Sequence, residues 1–324
     1  MRTCPSRSAA RGSTVRLEAS SLSLANIDVN CGLVPSNVER MLAKSLQTPA
    51  DRFIFDLEDS VADAQKDEAR SMLSTFLNVR LAPLPLPERV AVRVNAVGTP
   101  YFEQDIRAAL ELSSVRTIVL PKVLGAHDLS ALERVVGARK APLNVVASIE
   151  SAAALMGLRD IAGWKAQLSG SRVRVAALLF AAEDYCADTR VQRTPSGEEL
   201  VFPRTSIAIA ARAYGLQSID MVHVDYKNTE GLIQECQSAR RLGFDGKQAI
   251  HPDQVPIIQE QFLPTPQEID RAAKIVQGMD RAKLQARGSY ALKTGNRTEM
   301  IDAPMVKQAQ ITLAFARAAG LYTD

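Results

Sequence analysis

Val175-Ala-Ala-Leu-Leu-Phe-Ala-Ala-Glu-Asp184 decides how this chain is read. Eight apolar residues run without a break, and then two carboxylates arrive together. A run of that length bounded by polar residues is expected as a strand buried on both faces, the signature of a parallel sheet. Asn144-Val-Val-Ala-Ser-Ile-Glu150 repeats the pattern with one acid at its end. In parallel α/β folds, chemistry gathers at the carboxyl ends of the strands.

Working outward, strands and helices alternate. Strands are expected at Cys31–Ser36 (weak), Arg52–Asp59, Val90–Asn95, Thr117–Lys122, the two runs above, Ile219–Asp225 and Gly246–Pro252. Helical spacing fills most of the intervals, with a Pro-rich loop at Ala82–Pro87 and a long loop after Asp184. Eight strand–helix units predict an α/β fold, a (β/α)8 TIM barrel, over 29–262. Two further helices, about Gln267–Gln285 and Pro304–Ala319, form a C-terminal helical appendage within 263–324, joined by a Gly-containing loop from Arg287 to Asp302. The barrel is complete before them, so they could cap its mouth or complete the site of a neighbouring subunit.

Composition excludes several classes. The chain has 324 residues, a net charge of +3 and four cysteines, Cys4, Cys31, Cys186 and Cys236, with no CxxC pair. These read as free thiols rather than a disulfide framework or zinc site. The longest apolar run is far short of the roughly 20 residues of a membrane helix. Arg2, Arg7, Arg11 and Arg16 all precede the first acid, Glu18; without them 35 basic residues face 36 acidic ones. No basic face for nucleic acid remains. Residues 1–28, rich in Arg, Ser and Ala, have the composition of a mitochondrial transit peptide, which a disordered tail shares.

The strand ends collect Glu58, Asp59, Arg93, Asn95, Lys122, Glu150, Glu183, Asp184, Asp225 and His251. A ring of acids repels itself without a cation at its centre. Carboxylates without histidine or thiolate companions suit Mg²⁺, or Mn²⁺, with Glu150 and Asp184 converging on it. The alternative is that the acids cap the following helices, a reading strongest for Asp59 and Asp225. Arg93, inside an apolar strand, needs a partner: an anionic substrate, or a strand-end acid such as Glu58. Lys122 is placed for a Schiff base, but the surrounding acids speak against it.

Several segments carry a family resemblance: Asp56-Leu-Glu-Asp-Ser-Val61, Val92-Arg-Val-Asn95, Leu120-Pro-Lys122, Ile149-Glu-Ser-Ala152, Phe180-Ala-Ala-Glu-Asp184, Gly243-Phe-Asp-Gly-Lys-Gln-Ala-Ile-His-Pro252 and Met300-Ile-Asp-Ala-Pro-Met-Val-Lys-Gln-Ala309. The chain resembles the citrate lyase β-subunit-like branch of the HpcH/HpaI aldolase superfamily. That resemblance implies a Mg²⁺-dependent lyase acting on a carbon–carbon bond of an acyl-CoA, with a small α-keto acid as the other partner. It implies Glu150 and Asp184 as metal ligands, with Glu58 and Asp59 orienting metal-bound waters. Ala182 and Glu183, with Glu150, Asp184 and Arg93, would bind substrate, Arg93 would stabilise the enolate, and Asp302 would move the proton. Asp302 is often delivered to a neighbour's barrel in such proteins, which implies a homo-oligomer, a trimer. Mitochondrial members cleave citramalyl-CoA to acetyl-CoA and pyruvate. The alternatives are malyl-CoA lyase or malate synthase activity, and a non-catalytic CoA-binding relative. The chain departs from the family in lacking an arginine pair before its first strand, and at Ser36, Ala181, Ala182 and Arg190, where glycines are usual.

Overall fold

The computed structural model describes residues 30–45, 47–80, 89–294 and 297–323. The tail at 1–28 and the Pro-rich stretch at 82–87 lie outside the described residues.

Eight parallel strands close into one barrel in sequence order. They are β1 (Asn30–Pro35), β2 (Arg52–Asp56), β3 (Val90–Arg93), β4 (Thr117–Leu120), β5 (Leu143–Ile149), β6 (Val173–Phe180), β7 (Gln217–Asp220) and β8 (Gly246–Ala249). The weak strand predicted at Cys31–Ser36 is real and closes the ring, with Cys31 in register with Arg52 on one side and Gln248 on the other. Around the barrel run α1 (Glu39–Ser45), α2 (Lys66–Thr75), α3 (Phe102–Glu111), α4 (Ala126–Val136), α5 (Ala152–Met156), α6 (Leu158–Ala162), α7 (Ala182–Thr189), α8 (Val201–Tyr214), α9 (Thr229–Leu242) and α10 (Gln254–Phe262).

Alternation along each strand splits the apolar residues into two cores. Ile54, Ala91, Val119, Val146, Ala177, Leu179 and Ile219 fill the barrel interior. Phe53, Phe55, Val90, Val92, Ile118 and Leu178 face the helix layer. This period of two fixes where the polar residues go. Asp56 and Arg93 fall on the interior phase at the top of β2 and β3, opposite each other in register. Asp220 and Lys247 fall on the outer phase.

Six expected strand ends move inward: β2 stops at Asp56 rather than Asp59, β3 at Arg93 rather than Asn95 and β4 at Leu120 rather than Lys122, and three others follow. β6 stops at Phe180, because Ala181 and Ala182 with the acids after them suit a helix N-terminus. Glu183 and Asp184 therefore lie in the first turn of α7, a helix expected as loop. β7 ends at Asp220 rather than Asp225, and β8 at Ala249 rather than Pro252, so Asp225 and His251 belong to loops.

Beyond the barrel, α11 (Pro266–Leu284) and α12 (Ala303–Ala318) pack together around their own cluster, including Ile275, Met279, Ile301 and Leu313. The loop expected between them is mostly an antiparallel hairpin of β9 (Tyr290–Thr294) and β10 (Arg297–Ile301). Two runs rich in β-forming residues separated by Gly295-Asn296 have hairpin spacing. Tyr290 Oη donates to the Lys274 and Ile275 carbonyls, both at 3.1 Å, fastening the hairpin to α11.

Candidate active site

The site is built on the top of the barrel from the ends of β2 to β6. Asp56 is fully buried and holds Arg93 bidentately, Oδ1 accepting from Nε at 2.7 Å and Oδ2 from Nη2 at 2.8 Å. Burial opposes ionisation of Asp56, but the Arg93 guanidinium outweighs it and holds the carboxyl below its usual range. Arg93 thus points into the barrel, and its principal partner is Asp56, with Glu58 Oε2 3.2 Å from Nη1. Asp56 was read only as part of a motif. Its role rests on register, which one strand's sequence does not carry.

Glu58 is 4% exposed. Lys122 donates to it at 2.5 Å and to Asp59 at 3.1 Å. Those two bonds argue against Lys122 as a Schiff-base nucleophile, since they favour its ammonium form. Neither Asp59 nor Asp225 caps a helix; the residues before α2 and α9 are Gln65 and Asn228. Beneath Glu58, Lys66 donates to the Leu57 and Glu58 carbonyls at 2.9 and 2.8 Å and to Asn95 at 2.9 Å. Asn95 is fixed in turn by Asp105, itself bound to Arg70. Lys66 and Asp105 escaped notice because they lie on helices that the sequence marks only as amphipathic.

Glu150 closes β5 and is 5% exposed. Burial, then the charges of Asp184 and Glu58, push its carboxyl up to about 7, against the Ser148 hydroxyl and the Lys122 main-chain N–H, which favour the ionised form. No ion pair to a protein cation satisfies Glu150 or Asp184 among the described residues. Two neighbouring carboxylates, one dry and neither neutralised, fit a hard divalent cation. No group of three or more His, Cys, Asp or Glu side chains converges as a metal cage among the described residues. A hard ion there would complete its shell with water and substrate oxygens.

At the start of α7, Ala182 is buried and Glu183 is paired with Arg193. Arg193 continues to Glu235 at 3.0 Å and to the Val222 carbonyl at 2.9 Å. The first intrahelical acceptance is Ala181 from Tyr185 at 3.1 Å. The N–H groups of Ala182, Glu183 and Asp184 are thereby left without intrahelical partners, the arrangement that receives anions. Asp188, one turn on, accepts from Ala152 N at 2.8 Å and ties α7 to the segment after Glu150. The departures in this loop have a backbone logic. Arg190 is left-handed at φ 61°, where glycine is the easy choice, whereas Ala181 is at φ −98° and needs none.

His251 stacks on Tyr226, centroids 4.9 Å apart, beside an apolar cleft of 140 Å³ along β1 and β8 that Val34, Met41, Lys44 and Phe53 help line. Ser36, at the top of β1, is buried with its hydroxyl unpartnered. Asp302 is exposed at the N-cap of α12, accepting from Met305 N at 3.4 Å. No hydrogen bond or ion pair among the described residues joins it to Glu150, Asp184 or Arg93.

The fold and the acid-lined mouth define a TIM-barrel enzyme. The HpcH/HpaI aldolase/citrate lyase family model matches residues 32–252. The citrate lyase β subunit of Escherichia coli K12 is 32% identical over 295 residues, covering 89% of this chain and 93% of that protein. The mitochondrial citramalyl-CoA lyase of Mus musculus is 30% identical over 292 residues, covering 87% and 84%. A Mycobacterium tuberculosis CitE crystal structure with magnesium, acetoacetate and coenzyme A superposes with a TM-score of 0.73 at 28% identity, covering 90% of this chain and 99% of that one. The chain belongs to the HpcH/HpaI aldolase/citrate lyase family. It is a carbon–carbon lyase.

Proposed function

We propose that this protein is a Mg²⁺-dependent lyase that cleaves citramalyl-CoA to acetyl-CoA and pyruvate. The observation that carries the reading is the uncompensated pair Glu150 and Asp184 beside a fixed Arg93. Relatives of this family carry that activity or hold magnesium with coenzyme A or a keto acid in their structures.

Glu150 and Asp184 would hold the metal, which when bound supplies Lewis-acid polarisation of the substrate's oxygens. The open N–H groups of Ala182, Glu183 and Asp184 would receive the keto acid's carboxylate. Glu58 and Asp59 would orient water around the metal. Arg93, its fork fixed by Asp56, offers a half-buried cation where the thioester enolate forms, which favours the enolate over the neutral thioester. During cleavage the substrate hydroxyl would give its proton to solvent as the carbon–carbon bond breaks and the keto acid's C=O forms; the electrons of that bond would form the enolate, whose carbon Asp302, in its protonated form, would protonate. Its exposure on a separately packed appendage supports delivery to a neighbouring protomer, in a homo-oligomer read here as a trimer. The arginine-rich, acid-poor residues 1–28 support mitochondrial import.

Turnover of citramalyl-CoA, followed as acetyl-CoA and pyruvate with Mg²⁺ and then with EDTA, tests the reading. Metal-dependent cleavage supports it, with malyl-CoA ranked alongside. A folded, metal-binding protein that cleaves neither would overturn it.

A further inference from the structure

Lys122 is left-handed, at φ 51°, directly after Pro121 at the end of β4. A side chain bearing a Cβ is disfavoured there, and glycine would hold the same turn without strain. The chain nevertheless keeps a lysine. Its main-chain N–H faces the Glu150 carboxylate and favours the ionised form. Its ammonium lies 2.5 Å from Glu58 and 3.1 Å from Asp59. One residue therefore lies between the two halves of the acid ring, its backbone facing Glu150 and its charge bound to Glu58 and Asp59.

We propose that Lys122 is a positioning residue that divides the four carboxylates into two pairs. Its ammonium neutralises Glu58 and Asp59 and so leaves Glu150 and Asp184 as the one pair open to a divalent cation. The inference rests on the reading of Glu150 and Asp184 as the metal pair. Without the lysine, four acids would face each other at the mouth with only Arg93 to balance them, and Arg93 is already held by Asp56. The ammonium acts as a permanent built-in cation, and the site needs only one exchangeable ion.

The test is Mn²⁺ titration of the full-length protein by electron paramagnetic resonance, for the wild type, Lys122→Gly, Lys122→Met, Lys122→Arg and Glu150→Gln. The wild type is expected to bind one Mn²⁺, and Glu150→Gln to lose it. Removing the ammonium leaves two carboxylates unneutralised nearby. Lys122→Gly and Lys122→Met should therefore bind Mn²⁺ roughly fivefold tighter or more, or take up a second equivalent. Lys122→Arg should restore wild-type affinity and stoichiometry. In EDTA, Lys122→Gly should melt above Lys122→Met, because both lose the ion pairs and only glycine is free of strain. Either neutral variant that folds suffices for the charge reading. Glu150-dependent binding left unchanged by the neutral variants overturns the inference alone. Absence of Glu150-dependent binding in the wild type sinks the metal-site reading with it.

Discussion

Replacing Glu150 with glutamine should stabilise the metal-free protein while removing metal binding. The Glu150 carboxyl is 5% exposed. Burial, followed by Asp184 and Glu58, raises it from 4.5 to about 7. At about 1.4 kcal/mol per unit, holding it ionised in the folded state costs about 3 kcal/mol. The folded pKa lies above the unfolded one, so the folded state takes up the proton first. Below pH 4.5 both states are protonated and the cost vanishes; it grows from there and is complete above about pH 7. Glutamine is neutral throughout, but its amide NH₂ meets one of the two donors that serve Glu150, a loss of about 1 kcal/mol. The net is a gain of about 1–2 kcal/mol at pH 8 and none at pH 5. For a chain of this length that is about 1.5–3 °C in melting temperature. Thermal unfolding by circular dichroism in EDTA at pH 5, 6 and 8 reads it directly. In saturating Mg²⁺ the order should reverse, since only the wild type gains from ligand binding. A variant that loses stability in EDTA equally at pH 5 and pH 8 would refute the reasoning, because Glu150 would then carry no frustrated charge.

The same shift predicts that Mg²⁺ affinity, measured by calorimetry, falls about tenfold per pH unit below pH 7, as a proton competes for Glu150. Asp302→Asn should keep the unfolding free energy within about 0.5 kcal/mol, because asparagine caps a helix as well as aspartate. It should lose turnover, and subunits mixed with Glu150→Gln should regain part of it if the appendage serves a neighbour. Arg204→Ala strips the bidentate partner from the fully buried Asp220, bonded at 3.0 and 2.8 Å, and should cost about 3–5 kcal/mol in urea unfolding. Gly278→Ala places a methyl against the Tyr290 ring and should loosen the β9–β10 hairpin by about 1–3 kcal/mol, read as faster proteolysis there.

The sequence was legible wherever a residue's neighbours in space are also its neighbours in the chain. The apolar runs at Val175–Phe180 and Val145–Ile149 announced buried parallel strands, and their order announced the barrel. Even the weak Cys31–Ser36 strand was found, because the alternation required one more unit. Glu58, Glu150 and Asp184 were singled out for the same reason, since a polar residue after a dry strand stands out, although Asp184 lies in the first turn of α7 rather than on β6. The α7 helix was missed because Ala-Ala continues an apolar run as readily as it opens a helix. The β9–β10 hairpin was missed because a few residues on either side of Gly295 are too short to declare a period.

The architecture and the kinds of chemical group at the mouth can be read along the chain, because hydrophobic period and residue type are local properties. Which charges are paired is set by the packed barrel. Asp56 and Arg93, 37 positions apart, meet through strand register. Lys122 reaches Glu58 across 64 positions, and Glu150 and Asp184 have no ion pair to a cation among the described residues. Pairing depends on register, on the phase of each side chain relative to the barrel wall, and on burial. All three are set by how distant segments pack, and no single stretch of chain contains them.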